Sequence, residues 1–351
     1  MTRIIYGVHG TGHGHAMRAL TVARRYPEHE FIFVTHKDGK GVLRNEFPIF
    51  ECCNPETPVD GHKVSPWAAL ISNIPVQIQK KQIMTRMGEL IEEFKPDAAM
   101  VDYEYFVPRM SRKMNLPCLS LDHQHIITHA VHQIPRAQYL DYLATYVAAA
   151  SMFSLPRDYL IISFYQPPVK PRSRDRIKIL PPLLRETVIK RRPSRGEHVL
   201  AYHGYTTSPG FFTFLKATGR RVLVYGSHVD REEDNLVFKK NSEDEFLEDL
   251  ASCKYVICGG GHTLMSEALF LGKPIMSAPI KGAFEQFLNI HYLEKLGYGI
   301  AIDAFNPRVE LIPKFEADLS FFEDNIAGAV FCGNETIYDH LDRFFKTGRL
   351  E

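Results

Sequence analysis

Three consecutive glycines at positions 259–261 stand between a short apolar run and an amphipathic segment. Glycine adopts backbone angles closed to other residues, so the chain can turn sharply here from a strand predicted over residues 254–258 into a helix. The first turn of that helix, at His262 and Thr263, exposes unpaired N–H groups and a partial positive charge. The pattern therefore predicts a site for a phosphate or diphosphate.

Glu267 lies one turn further along the same predicted helix. A carboxylate there can accept hydrogen bonds from the ribose hydroxyls of a nucleotide whose phosphates lie at the start of the helix. The alternative is an ordinary surface glutamate in a strand–turn–helix unit, and the local sequence leaves both interpretations open.

A second glycine turn, rich in histidine, occurs near the N-terminus. An apolar run over residues 3–9 ends in GTGHGH at residues 10–15, and residues 16–26 have helical periodicity. A dinucleotide fingerprint would need a third glycine where His15 stands, and an acidic residue after the next strand. An NAD site is therefore disfavoured, and the turn presents imidazoles, which titrate near neutral pH.

Strand and helix patterns alternate through the first half of the chain, which predicts a parallel sheet. Ligands of such sheets gather beyond the carboxyl ends of the strands. The polar side chains that follow predicted strands here are Asp102, Asp122, His123 and His125. Each could be only a helix cap or turn residue, but together with the histidine turn they predict one shared site.

A proline- and arginine-rich stretch, residues 167–193, is interpreted as a linker. A fresh α/β pattern follows it and leads into the triple glycine. Because 351 residues exceed a typical single core, we expect two domains, residues 1–182 and residues 183–334.

Composition limits the classes of function. A net charge of +1, with 45% hydrophobic and 24% charged residues, is typical of a globular protein without a nucleic-acid-binding surface. The six cysteines form no Cys-x-x-Cys pair, and the N-terminus has no basic-then-apolar signal segment. The most apolar window, residues 140–155, is shorter than a membrane span. We therefore expect a cytoplasmic protein.

The glycine-rich segment of the second half resembles the donor-binding segment of nucleotide-sugar glycosyltransferases of the GT-B fold. The closest groups are the UDP-glucuronosyltransferase-like enzymes and the N-acetylglucosaminyl transferase that completes lipid II. The matching residues, in order, are GGGHT at 259–263, SEAL at 266–269, GKP at 272–274, Pro279, EQ at 285–286, Asn289 and Gly297. The resemblance implies an α/β protein of two Rossmann-like parallel-sheet domains facing across a cleft, with residues 335–351 packing back on the first domain.

In the resembled family the first strand also ends in a glycine turn whose histidine lies near the acceptor. His15 matches that histidine best, and His13 is its rival because the turn here is one residue longer. His15 is thus the predicted general base, with Asp102 as the first choice and Asp122 as the second for the carboxylate that orients it.

The resemblance further implies that Glu267 binds ribose, that Glu285 and Gln286 bind the donor sugar, and that the backbone near Phe238 binds the base. The predicted donor-binding residues are Gly12, Gly14, Tyr205, Thr206, Thr207, Phe238, Gly260, Gly261, His262, Thr263, Glu267, Glu285 and Gln286.

No Asp-x-Asp occurs where it could bridge a metal and a diphosphate; the nearest is Asp102-Tyr103-Glu104, in the first half. The histidines form no zinc motif either. The resemblance implies transfer from a nucleotide sugar, with UDP as the first candidate, to an acceptor hydroxyl. Attack on one face without a covalent nucleophile implies inversion at the anomeric carbon. No metal is predicted, and no cofactor beyond the sugar nucleotide as co-substrate.

The same two-domain fold is also compatible with three other functions: a UDP-sugar 2-epimerase, a nucleotide-sugar hydrolase, or a non-catalytic sugar-binding regulator. The acceptor is not identified, and a lipid or a polysaccharide both fit. Residues 67–83 combine apolar residues with Lys80 and Lys81, which predicts either peripheral contact with a membrane or simple burial.

Overall fold

The computed structural model describes residues 1–60, 63–171, 175–202, 209–227, 229–240 and 242–350. The chain divides into two compact units, each described by itself. Unit 1 comprises Met1–Pro58, Ser65–Arg185 and Gly333–Glu351, and unit 2 comprises Val59–Val64 and Glu186–Cys332.

The strands are numbered in chain order. They are β1 (Arg3–Val8), β2 (Glu30–Thr35), β3 (Ile49–Glu51), β4 (Val59–Asp60), β5 (Lys63–Val64), β6 (Ala98–Asp102), β7 (Cys118–Asp122), β8 (Asp158–Ile162), β9 (Ile177–Leu180), β10 (Val199–Tyr202), β11 (Val222–Tyr225), β12 (Arg231–Glu233), β13 (Leu236–Phe238), β14 (Val256–Gly259), β15 (Ile275–Ala278) and β16 (Gly299–Ala301).

The helices follow the same order, with one 3₁₀ turn at Arg136–Gln138. They are α1 (His13–Arg25), α2 (Lys37–Leu43), α3 (Pro66–Ser72), α4 (Ile74–Phe94), α5 (Val107–Met114), α6 (Ile126–His129), α7 (Tyr139–Met152), α8 (Glu186–Ile189), α9 (Pro209–Lys216), α10 (Glu243–Ser252), α11 (His262–Phe270), α12 (Phe284–Lys295), α13 (Leu311–Ala317), α14 (Leu319–Ala327) and α15 (Asn334–Thr347). Among the described residues, no helix has the length and apolar character needed to cross a membrane.

Unit 1 is built on a parallel sheet with the strand order β3-β2-β1-β6-β7-β8-β9. Successive side chains of a strand point to opposite faces, and β1 shows this directly. Ile4 and Tyr6 belong to the hydrophobic cluster on one face, and Ile5 belongs to the cluster on the other. Burial on both faces explains why the strands of unit 1 are continuous apolar runs.

The C-terminal helix α15 packs within unit 1. Its residues Ile337, Leu341 and Phe344 are fully buried in the cluster that contains Ile4 and Tyr6. Their spacing of four and three positions places them on one face of the helix. The apolar face of α15 thus completes one side of the first sheet.

Unit 2 contains the second sheet, with the order β12-β13-β11-β10-β14-β15-β16. All its pairs are parallel except the edge pair β12–β13. Its core cluster includes Phe214, Tyr255 and Phe315. The β-branched and aromatic runs VLAY and VLVY form β10 and β11 at the centre of the sheet.

The stretch 167–193 is not wholly a linker, because it contains β9 and the short helix α8. Ile177 and Ile179 belong to β9, which pairs with β8 as the last strand of the first sheet. Proline at 181 and 182 follows it, and proline lacks the N–H that a further strand residue would need. The many prolines of this stretch led to the prediction of a linker, although β9 is a short edge strand.

Candidate functional site

The strand order of unit 1 reverses at β1, which has β2 on one side and β6 on the other. Connections that leave the strand ends diverge at such a point and open a crevice where ligands of doubly wound sheets bind. The backbone N–H of His9 donates to the carbonyl oxygen of Asp102 over 2.9 Å. The histidine turn and the end of β6 therefore lie side by side.

Gly12 turns the chain into α1. Its φ of 83° lies in the left-handed region that glycine favours, and its N–H donates to Oδ2 of Asp38 at 3.0 Å. His13 at the start of α1 is exposed, whereas Gly14 and His15 are half-buried. His15, rather than His13, contacts Asp102, the last residue of β6.

His15 and Asp102 form a dyad. Nδ1 of His15 lies 2.7 Å from Oδ1 of Asp102, whose side chain is fully buried, while the side chain of His15 keeps 14% exposure. At this distance Nδ1 must carry the proton, because an unprotonated nitrogen and a carboxylate oxygen would repel each other. The lone pair of the neutral ring is then on Nε2, which can accept a proton.

Gln124 lies against that lone pair. Its Nε2 is 3.3 Å from Nε2 of His15, so the amide N–H faces the ring nitrogen as a donor. Oε1 of Gln124 is buried and has no hydrogen-bond partner in the described part of the chain. A hydroxyl that donates to Nε2 of His15 must therefore take the place of the Gln124 amide.

Arg18, one turn along α1, holds the other side of Asp102. Its Nε donates to Oδ2 over 2.7 Å and its Nη2 donates to Oδ1 over 2.8 Å. Burial alone would raise the pKa of Asp102, but the charges of Arg18 and His15 and their hydrogen bonds outweigh it and lower that pKa. Asp102 is thus an ionised carboxylate held at both oxygens.

His9 is the next imidazole in the crevice. Its ring centroid lies 5.2 Å from that of His15 and 6.0 Å from that of His36. Burial, and then the nearby His15 and His36, lower the pKa of His9 to about 3. His9 is therefore neutral at any working pH and adds no charge beside His15.

Asp122 is engaged by a different histidine. Its Oδ2 lies 2.6 Å from Nδ1 of His125, its Oδ1 accepts the N–H of His125 over 2.9 Å, and the hydroxyl of Ser120 also donates to it. Burial raises the pKa of Asp122, but the charge of His125 and these hydrogen bonds lower it overall. Because β6 separates β7 from β1, it is Asp102 that contacts His15.

Asp102 and Glu104, the nearest approach to an Asp-x-Asp pair, do not converge. Tyr103 between them has a φ of 52°, which turns the chain. The carboxylate of Glu104 accepts the N–H groups of Phe106 and Val107 over 2.7 and 2.6 Å at the start of α5. Within the described ranges, no group of three or more His, Cys, Asp or Glu residues is arranged to hold a metal ion.

Glu104 makes the stability of the protein depend on pH. Burial raises its pKa from 4.5 to about 7, so the folded state keeps a proton that the unfolded state releases near pH 4.5. Its contribution to the free energy of unfolding therefore falls as the pH rises from 4.5 to about 7. We expect Glu104→Gln to remove this fall, which is on the order of 3 kcal/mol between pH 4 and pH 8. Since glutamine has one acceptor oxygen for the two N–H groups, the variant should be less stable than wild type at pH 4.

Denaturant titration at both pH values measures this effect. Glu93→Gln is the matched control, because Glu93 is exposed on α4, and it should leave the pH dependence unchanged. A Glu104→Gln protein that keeps the wild-type pH dependence would mean that the backbone N–H groups of Phe106 and Val107 stabilise the ionised carboxylate enough to offset its burial.

The strand order of unit 2 reverses at β10, which lies between β11 and β14. β14 ends at Gly259, and α11 begins at His262. No side chain of the described residues caps this helix start, and Gly261 beside it is exposed. The first N–H groups of α11 can therefore bind an anion at the edge of the sheet where ligands are expected.

Gly260 is packed against helix α12. Its carbonyl oxygen accepts Nδ2 of Asn289 over 2.9 Å. A Cβ built on Gly260 would lie 2.7 Å from Cβ of Gln286 and 2.8 Å from its carbonyl oxygen. This position excludes any side chain, so the middle glycine is required by packing as well as by the turn.

The predicted donor-binding carboxylates have different surroundings. Glu267 is buried in the second turn of α11, and Glu285 is half-buried in the first turn of α12. Gln286 uses its Oε1 to accept the N–H of Ile280 over 2.9 Å, which ties the loop after β15 to α12.

The remaining donor-binding predictions fall on three parts of the chain. His262 is buried at the start of α11 with its Nε2 3.2 Å from Oγ of Ser266, and Thr263 beside it is half-buried. Phe238 ends β13 with its ring in the core of unit 2. Tyr205, Thr206 and Thr207 lie outside the described residues.

Residues 67–83 present an exposed apolar surface in part. Ile71, Ile74 and Ile78 are exposed, and the side chains of Trp67 and Leu70 lie outside those described. Contact of this segment with a membrane stays a prediction.

Sequence reasoning assigned no role to Arg18 or Gln124. For Arg18 a signal existed, since it stands three positions after His15 and so lies on the same helix face. For Gln124 there was none beyond its position in the polar run that follows β7.

The sequence matches the family model described as "Glycosyl transferase family 1" over residues 2–319. Two relatives are described as uncharacterized glycosyltransferases. One, of Methanopyrus kandleri, is 34% identical over 102 residues, which is 28% of each chain. The other, of Methanosarcina acetivorans, is 24% identical over 331 residues, covering 87% of this chain and 86% of the relative.

Among solved structures, UGT2 of Phytolacca americana in complex with UDP-2-fluoro-glucose and pterostilbene superposes with a TM-score of 0.69. The match covers 99% of this chain and 100% of that one at 12% identity. The expected fold class, two Rossmann-like parallel-sheet domains of the GT-B type, is confirmed.

Proposed function

This chain belongs to glycosyl transferase family 1, and we propose that it moves a sugar from a nucleoside diphosphate, UDP first among them, to a hydroxyl of an acceptor. The reaction proceeds without a metal and inverts the anomeric carbon. The sugar nucleotide is a co-substrate, and no further cofactor takes part.

The dyad of His15 and Asp102 carries this proposal. The acceptor hydroxyl donates its proton to Nε2 of His15 as its oxygen forms a bond to the anomeric carbon. The bond from that carbon to the diphosphate oxygen breaks, and its electron pair leaves with the diphosphate. Asp102, 2.7 Å from Nδ1, stabilises the imidazolium that forms. Attack opposite the leaving group inverts the configuration.

The start of α11 supports the other half of the reaction. The departing diphosphate gains negative charge, which N–H groups from Gly260 to Thr263 would stabilise without rearranging. Asn289 and the close packing of Gly260 on Gln286 hold this turn in place. We assign Glu267 to the ribose, and Glu285 and Gln286 to the donor sugar.

The test begins with binding. A thermal-shift screen of UDP, other nucleoside diphosphates and UDP-sugars should raise the melting temperature with at least one of them, because a ligand that binds only the folded state stabilises it. We expect Glu267→Gln to weaken binding of that nucleotide by roughly tenfold, since a hydrogen bond to a charged group contributes about 1.5 kcal/mol or more.

Isothermal titration of the same nucleotide measures the loss, and Glu323→Gln, on a different helix of unit 2, is its control.

Sugar transfer is then assayed in the presence of a metal chelator, with the donor that binds and a panel of lipid and saccharide acceptors. Release of free nucleotide without any acceptor would identify a hydrolase, and a new epimer would identify an epimerase. Equal rates for His15→Ala and wild type would overturn the proposed base.

A further inference from the structure

A buried arginine stands behind the carboxylate of the dyad. The side chain of Arg18 keeps 5% exposure and that of Asp102 none. The two bonds from Arg18 form a fork on both oxygens of Asp102, the geometry in which a guanidinium fixes the plane of a carboxylate. His15 therefore bonds to an oxygen that it shares with Arg18.

The charge of Arg18 also acts on the imidazole. Nη2 of Arg18 lies 3.2 Å from Nδ1 of His15; since both are donors, they share Oδ1 of Asp102 instead of bonding to each other. A lone buried carboxylate would strongly favour a second proton on the ring. A carboxylate paired with a guanidinium has no net charge and favours it much less.

Other groups around His15 do not replace Arg18. Among the described residues of unit 1, the titratable groups that face His15 or its neighbours are His13 at the start of α1, Tyr6 of β1, His9 in the turn after β1, Tyr103 after β6, His36 with its partner Glu56, and Asp122 with its partner His125. His9 and Tyr6 are neutral, because burial lowers the pKa of the first and raises that of the second. Arg18 is the described cation in direct contact with Asp102.

We propose that Arg18 is a positioning residue for sugar transfer: it neutralises and orients Asp102, and so keeps His15 a neutral base with its lone pair on Nε2. This inference rests on the proposed role of His15. Without Arg18, the buried carboxylate would hold His15 as an imidazolium, which cannot accept the proton of the acceptor hydroxyl.

Two variants separate charge from geometry. Arg18→Met fills the space but removes the charge, so the titration of His15 should move to higher pH by roughly 1 to 2 pH units. Activity lost at neutral pH should return as the pH is raised. Arg18→Lys keeps the charge but not the fork, so the titration should stay near its wild-type pH while kcat falls by roughly 10- to 100-fold.

The titration is followed by NMR of the imidazole ring in the protein without substrate, with His15→Gln to assign the signal, and by the pH dependence of kcat/KM. Arg24→Met is the control, because Arg24 is an exposed arginine of the same helix that pairs with Glu46. It should leave both profiles unchanged. The inference would be overturned if Arg18→Met lost activity at every pH and if His15 titrated at the wild-type pH or at a lower pH.

If Arg18→Met does not fold, Arg18→Gln gives the same comparison, because its amide can still donate to Asp102 but carries no charge. Loss of the charge must again move the titration of His15 to higher pH. The NMR measurement also separates this inference from the proposed function. The titration of His15 could move to higher pH in Arg18→Met while His15→Ala stays fully active. That result would support the effect of Arg18 on His15 and would show that His15 is not the base.

Discussion

Replacement of His15 by alanine is expected to lower kcat by roughly 100-fold or more and to leave the affinity for the nucleotide unchanged. The reason is geometric. Nδ1 of His15 is held by Asp102 at 2.7 Å, so that Nε2 is presented as a base. Apart from Gly12 and Gly14, the predicted donor-binding groups belong to unit 2, which this change leaves in place. Steady-state rates and isothermal titration of the nucleotide measure the two parts.

His13 is the informative comparison, since it belongs to the same turn and is exposed. We expect His13→Ala to lose much less activity than His15→Ala. The reverse order would assign the base to His13. Asp102→Asn should reduce kcat as well, because an amide can favour the wrong tautomer of the ring.

Replacement of Gly260 by alanine is expected to weaken nucleotide binding by roughly tenfold or more and to lower the free energy of unfolding by about 1 to 3 kcal/mol. The new Cβ would lie 2.7 Å from Cβ of Gln286 and 2.8 Å from its carbonyl oxygen. A carbonyl of helix α12 cannot move as a flexible side chain does, so the glycine turn must shift instead. The N–H groups at the start of α11 shift with it.

Gly261→Ala is the matched control for stability. It changes the next residue in the same way, but a Cβ there meets nothing within 4 Å, and its φ of −71° is open to any residue. Thermal unfolding should show a loss in the first variant and none in the second. Equal stability of both variants would mean that α12 yields to the added methyl group, and the packing argument would fail.

Much of the fold could be read from the sequence, because strands buried on both faces are short β-branched runs and amphipathic helices repeat their apolar residues. Asp102 was placed correctly as the last residue of β6, and α1 and α11 were both expected directly after a glycine turn. The short edge strand β9 was missed, since its four residues stand between prolines and arginines.

The sequence by itself therefore determined the element types, the glycine turns and the chemical groups at the strand ends. Only the tertiary structure decided which histidine pairs with which carboxylate. Asp102 and His15 are 87 positions apart and meet because β6 lies directly beside β1, while Asp122, one strand further, bonds to His125 instead. The periodicity of a strand reports its own burial but not its neighbour in the sheet. The contacts of Arg18 and Gln124 with the dyad depend on that neighbour.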